Sequence, residues 1–146
     1  DCTIETDQLA LIPDSYIDMT AEKIRIYKEL DSLTSEKDLI NMKNRLTDRF
    51  GKMPVELERL FDIVRIRQLG QKLGFEKIII KNGVMIAFFI TNPLSQYYRS
   101  DRFSKVLENV NLNPKLFEIK QPDGRLRIMV RNVDGISKAY DILKKL

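Results

Sequence analysis

The stretch FEKIIIKNGVMIAFFIT, residues 75–91, decides the fold. Two apolar runs, 75–81 and 84–91, flank Asn82-Gly83, the strongest short hairpin signal because both residues tolerate positive φ. Phe88 and Phe89 are adjacent, so one ring is expected on each face of the sheet. Beyond the hairpin, Ser100 is placed to cap a helix carrying Phe103, Val106, Leu107 and Val110 at i, i+3, i+4 and i+7. Then the order repeats. Residues 115–121 and 125–131 flank Pro122-Asp123-Gly124, and a last helix carries Ile136, Ala139, Tyr140, Leu143 and Leu146. Two ββα units of this kind predict one antiparallel sheet of about four strands with helices packed on it.

Upstream of residue 75 the period is helical. Residues 3–12 read as an extended segment, closed by Pro13. A first helix is expected after Thr20 as N-cap, with Ile24, Tyr27 and Leu30 spaced by three. Ser35 and Asp38 form a capping-box pattern with Asp in place of Glu. The second helix then carries Leu39, Met42, Leu46 and Phe50 on one face and ends at Gly51, which suits a left-handed C-terminal position. Pro54 is suited to open a third helix that runs to about Leu73 and stops at Gly74. The expected fold class is therefore α+β: an N-terminal extended segment and three helices, followed by two ββα units. No Ser/Gly-rich joint is present. Residues 1–146 are expected to form a single compact domain, with a helical half over about 1–74 and a sheet-rich half over about 75–146.

Composition bounds the function. The 146 residues are 43% hydrophobic and include one Cys, no Trp and no His. A chain of this length buries roughly 68–70% of its unfolded surface, enough for one core. Without His the commonest general base and the commonest metal ligand are both missing, and nucleophiles activated by His are excluded. One Cys makes neither an internal disulfide nor a zinc site, which points to a reducing compartment. Cys2 is expected in a loose terminus without chemistry. The six glycines form neither a GxxxxGK phosphate loop nor a GxGxxG turn. Carboxylate pairs such as Glu56 with Glu58 fall near helix starts, where acids complement the helix dipole. No catalytic residue, metal or cofactor is expected. The chain begins with Asp1 and has no membrane-length apolar run, so it reads as a piece of a larger cytoplasmic protein.

Charge is unevenly placed. Residues 1–20 sum to −5, 21–75 to +3 and 76–146 to +6, giving +4 overall. In the basic part, Arg125, Arg127 and Arg131 share one face at strand spacing, with Leu126, Ile128 and Val130 on the other. Such a line of cations could follow phosphates, an accessory nucleic-acid-binding role. It is equally the solvated side of a half-buried hairpin. The stretch LTDRFGKMP, residues 46–54, offers a second candidate. Asp48 and Arg49 stay available beside a tight turn that Phe50 and Gly51 anchor locally; the stretch reads either as an ordinary capped helix end or as a polar contact site beside a buried aromatic.

Four motifs then stand in order: ALIPDSYI (10–17), RIYKEL (25–30), DRFGKMP (48–54) and LFDIVRIRQLGQKLG (60–74). Together they resemble the C-terminal domain of the bacterial transcription-repair coupling factors. That resemblance implies a parent that is an ATP-driven DNA translocase, which displaces stalled RNA polymerase and recruits excision repair. It implies that this domain docks on the UvrB-like N-terminal module of the same protein and masks its UvrA-binding surface, an autoinhibitory role without catalysis. RNA polymerase and UvrA are then indirect partners, DNA is met through other domains, and no membrane is involved. By the same resemblance Asp48 and Arg49 are the expected interdomain contacts. Arg45 is a third, standing where members of the family often carry Glu, so the charge at that position is reversed. Gly70 stands where Ala is common, which weakens that helix.

Overall fold

The computed structural model describes residues 1–146. In chain order it contains β1 (Thr3–Thr6), α1 (Thr20–Ser32), α2 (Glu36–Phe50), α3 (Val55–Leu73), β2 (Phe75–Lys81), β3 (Val84–Phe89), α4 (Asp101–Leu112), β4 (Glu118–Lys120), β5 (Arg127–Arg131) and α5 (Ile136–Leu143). Short 3-10 turns cover Gln96–Arg99 and Pro122–Gly124. The chain divides into two compact units, Leu9–Arg65 and Asp1–Gln8 with Ile66–Leu146.

The second of these carries the sheet, in the order β1-β2-β3-β5-β4. Asn82 and Gly83 both take positive φ, 53° and 75°, and close the expected β2–β3 hairpin. The expected antiparallel pairings are present, and the class is α+β as read from the sequence. A fifth strand is added. β1 pairs parallel to β2, Thr3 beside Lys77 through Thr6 beside Ile80, so the sheet is mixed. Parallel neighbours need a long connection, which residues 7–74 supply. The extended segment expected over 3–12 is a strand only to Thr6. There the Thr6 hydroxyl accepts from Gln8 N at 3.2 Å and the Asp7 carboxylate from Asn82 N at 2.9 Å, so the chain turns away.

Register explains the burial. Ile78, Ala87 and Ile128 form one row across β2, β3 and β5, and Ile80, Met85 and Val130 the next, each at most 2% exposed. On the opposite face Ile79, Ile86 and Met129 are half-buried. The two phenylalanines diverge as alternation requires. Phe89 packs with Phe75 at 4.8 Å and Phe103 at 5.6 Å between ring centroids. Phe88 lies in register with Arg127 on the other face. Ser100 caps α4 as expected, accepting from Phe103 N at 3.2 Å.

One expectation at the N-terminus is overturned. Cys2 is not in a loose end but 3% exposed. It lies against Gly70 of α3, where an added Cβ would stand 2.8 Å from Cys2 Sγ and 3.0 Å from Ile78 Cδ1. Gly70 therefore gives more than a weaker helix: it lets strand and helix approach closely.

In the unit Leu9–Arg65, α1, α2 and the first part of α3 bury Ile26, Leu30, Leu39, Met42, Leu46, Leu57, Phe61 and Val64 in one cluster with Ile12, Ile17 and Met53. Each fully buried Leu, Ile or Phe contributes about 1.5–3 kcal/mol over its exposed state. That outweighs the surface ion pairs, at about 0–1 kcal/mol each. Ser35 accepts from Asp38 N at 3.1 Å, which is the expected N-cap of α2. Thr20 does not cap α1. Met19 occupies that position without a side-chain bond, and Thr20 is already the first helical residue. Pro54 stands immediately before α3, its carbonyl accepting from Leu57 N and Glu58 N at 3.1 Å.

Candidate functional site

The end of α2 is built from inside outward. Leu39, Met42 and Leu46 are buried, and the neighbouring stripe of the helix carries Arg45, Asp48 and Arg49 at i, i+3 and i+4. The helix stops because Gly51 takes φ 90°, with its N–H donating to Thr47 O at 2.9 Å. Tyr16 secures this stop from the preceding loop. Its hydroxyl lies 2.8 Å from the Gly51 carbonyl oxygen and 3.2 Å from that of Leu46, and its ring packs against Phe50 at 5.9 Å.

Charges on the stripe differ in how free they are. Arg49 Nη1 donates to Glu22 Oε1 at 2.9 Å, while its guanidinium lies 4.8 Å from the centre of the Phe50 ring. Glu22 also holds Arg25. Arg45 is bonded to Glu29, and that bond raises the guanidinium pKa above its ordinary value. Asp48 is exposed and has neither an ion-pair nor a hydrogen-bond partner. A pocket of about 250 Å³ beside Arg49 and Phe50 is lined also by Tyr16, Asp18, Met19 and Glu22, among others. The arrangement presents an unpaired carboxylate, a cation fixed by stacking, and an acid-lined recess. It can recognise a complementary, cationic surface; it assembles no nucleophile with a base.

The basic candidates separate. Arg131 Nε donates to Glu118 Oε1 at 3.0 Å, so this cation is matched within the sheet. That bond, with help from Lys120, holds the Glu118 carboxyl below its ordinary range. Arg125 and Arg127 have no carboxylate partner, and their guanidinium carbons lie 4.7 Å and 4.6 Å from the centre of the Phe88 ring. Cation–π contacts of this kind contribute about 0.5–1 kcal/mol when exposed.

Two residues of the α2 site, Tyr16 and Glu22, escape the sequence reading. Both act from at least 27 residues away in the chain, on loop and α1, and no local spacing marks such contacts. Phe88 does carry a local signal, because the adjacent Phe88 and Phe89 send one ring to each face of the sheet.

The fold is that of an α+β domain with a mixed five-stranded sheet. The family model of the TRCF domain matches residues 6–100. The chain belongs to the TRCF domain family. It is 32% identical over 133 residues to the transcription-repair-coupling factor of Rickettsia conorii, a match covering 90% of this chain and 11% of that protein. With the factor of Staphylococcus haemolyticus it shares 43% identity over 137 residues, 86% of this chain and 12% of that one. With that of Escherichia coli it shares 37% over 75 residues, or 51% and 6%. The chain thus spans only about a tenth of the length of these relatives. Among solved structures, the crystal structure of the C-terminal domain of transcription-repair coupling factor superposes with a TM-score of 0.81. That superposition covers 99% of this chain and 88% of that one at 17% identity, a likeness of fold.

Proposed function

We propose that this domain is the autoinhibitory C-terminal interaction domain of a transcription-repair coupling factor. In this reading it masks the UvrA-binding surface of the UvrB-like N-terminal module in the same cytoplasmic protein. Membership of the TRCF domain family supports the context. The observation that carries the contact is Asp48, an exposed carboxylate without a partner in its own domain, beside an Arg49 already oriented by Glu22 and Phe50.

The physical scale suits a reversible clamp. An intrachain interface of roughly 600–1,500 Å² is polar enough to open. A coupling of about 1–3 kcal/mol between two sites changes affinity by about 5–150-fold. Asp48 and Arg49 would bias the equilibrium, Arg45 would adjust it, and Phe50 with Gly51 would hold the turn. The translocase motor of the parent, its contacts with RNA polymerase and DNA, and its place in nucleotide excision repair all lie outside this domain.

Deleting residues 1–146 from the full-length parent is the direct test. UvrA binding, measured by titration, is expected to rise by about 5–150-fold. Equal affinity of the deleted and intact proteins overturns the reading.

A further inference from the structure

The sheet-bearing unit holds a second feature that the interdomain contact does not use. Phe88 and Arg127 are cross-strand partners in the β3–β5 ladder, and Arg125 follows the Pro122–Gly124 turn two residues earlier. Both guanidinium groups stack on the same ring, their central carbons 4.7 Å and 4.6 Å from the Phe88 centre. Their Nε atoms are buried and have no acceptor. Two cations on one ring repel each other, and a desolvated donor without an acceptor is costly. An oxyanion at their outer Nη edges offsets the repulsion between the two cations. Arg suits this task because its planar fork matches a carboxylate.

A pocket of about 420 Å³ opens directly beside Arg125, walled by Ile90, Pro93, Tyr98, Gln121, Asp123 and Leu126, among others. Its Tyr98 wall is fixed, since the hydroxyl is bonded to the Ile90 carbonyl. The mixed apolar and amide lining can take one bulky side chain.

The surrounding charges choose between ligand classes. Lys77 and Lys81 are paired with Glu5, and Lys120 and Arg131 with Glu118. Only Arg125 and Arg127 on this face remain unmatched. Glu76, bonded to Thr91 Oγ1 at 2.7 Å, and the exposed Asp123 flank them. Thr91 chiefly, and Arg125 to a lesser degree, hold the Glu76 carboxyl below its ordinary range, so it stays anionic. A nucleic-acid backbone needs a track of free cations; the two unmatched cations here form a single point that fits one carboxylate. We propose that Arg125, Arg127 and Phe88, with the adjoining pocket, form a docking site for an acidic peptide segment. One carboxylate of the segment sits on the guanidinium pair, and a neighbouring aromatic or aliphatic side chain fills the pocket. The site is independent of the α2 contact.

The test titrates the ¹⁵N-labelled 146-residue chain with the peptide N-acetyl-Glu-Phe-Glu-amide and follows the arginine Nε–H resonances by NMR. The expected result is a saturable shift of the Arg125 and Arg127 signals with Kd of about 1 mM or tighter. The glutamine isostere, N-acetyl-Gln-Phe-Gln-amide, is expected to bind about tenfold more weakly, because the charge-assisted bonds are lost. This comparison leaves the protein untouched and so needs no variant to fold. The double variant R125Q/R127Q is expected to abolish the shift elsewhere in the pocket, and R125K/R127K to restore only part of it. Absence of saturation, or equal binding of the two peptides, overturns the proposal. So does an oligothymidylate that shifts the same resonances in the peptide's place, which would assign the site to nucleic acid.

Discussion

The Tyr16 hydroxyl lies 2.8 Å from the carbonyl oxygen of Gly51, joining the loop before α1 to the residue that stops α2. The bond spans 35 positions and fixes the turn on which Asp48 and Arg49 are displayed. Removing it should loosen the turn without emptying the core, because the ring of Tyr16 would still pack on Phe50. Tyr16→Phe is therefore expected to cost about 0.5–1.5 kcal/mol, the net worth of one hydrogen bond. Urea denaturation measures this, and the amides of residues 47–52 should exchange faster while those of α3 keep their protection. A wild-type midpoint would show that the hydroxyl contributes nothing to the turn.

Gly70 poses a contest between helix propensity and space. Ala in place of Gly favours a helix by about 1 kcal/mol. Against that, the new Cβ would stand 2.8 Å from Cys2 Sγ, closer than packed atoms allow, and a tight 3.0 Å from Ile78 Cδ1. Overpacking costs typically about 1–3 kcal/mol, so Gly70→Ala should be net destabilising. Truncating the sulfur with Cys2→Ala should recover part of the loss in a double-mutant cycle. Additive effects of the two substitutions would place the strain elsewhere.

Burial of Cys2 makes stability depend on alkaline pH. Desolvation pushes the thiol from 9.0 up to about 11. The folded state thus holds the proton more tightly than the unfolded chain. The stabilisation is fully present below pH 9.0 and is lost as pH rises through about 11. Denaturation midpoints should fall over that interval more steeply for the wild type than for Cys2→Ala. The native thiol should also react with a disulfide reagent far more slowly than the unfolded chain at pH 8, since the thiolate is the nucleophile. Equal rates would mean that the N-terminal strand opens freely.

Local chemistry made much of this fold legible. Asn82-Gly83 requires positive φ, Ser100 offers an oxygen to the first turn of α4, and Gly51 and Gly74 end their helices at φ 90° and 95°. Each of these signals acts within a few residues. What stayed hidden depends on distant partners. Residues 3–12 read as extended, but that TIET, residues 3–6, joins the sheet as a fifth, parallel strand depends on the edge that β2 offers. The burial of Cys2 is hidden for the same reason, being set by Gly70 and Ile78, far along the chain. The three arginines of the basic strand looked equivalent by spacing. Their difference comes from Glu118 beside Arg131 and Phe88 beneath Arg125 and Arg127, both on neighbouring strands.

Charge reversal at Asp48 separates the proposed contact from the stability of the domain. The side chain is exposed and unpaired, so Asp48→Lys should change the stability of the isolated domain by no more than about 0.5 kcal/mol. In the full-length parent the same substitution would set a cation against a surface matched to an anion. The closed state then weakens while the UvrA site itself is untouched. UvrA affinity should rise toward that of the protein lacking residues 1–146, and the rise should shrink at high salt, where exposed charges are screened. Glu108→Lys on α4 provides a matched reversal at another exposed position, paired only with Lys105, and should leave UvrA binding unmoved. If Asp48→Lys behaves like Glu108→Lys while the deletion still releases UvrA binding, masking holds and the contact lies on another face of the domain.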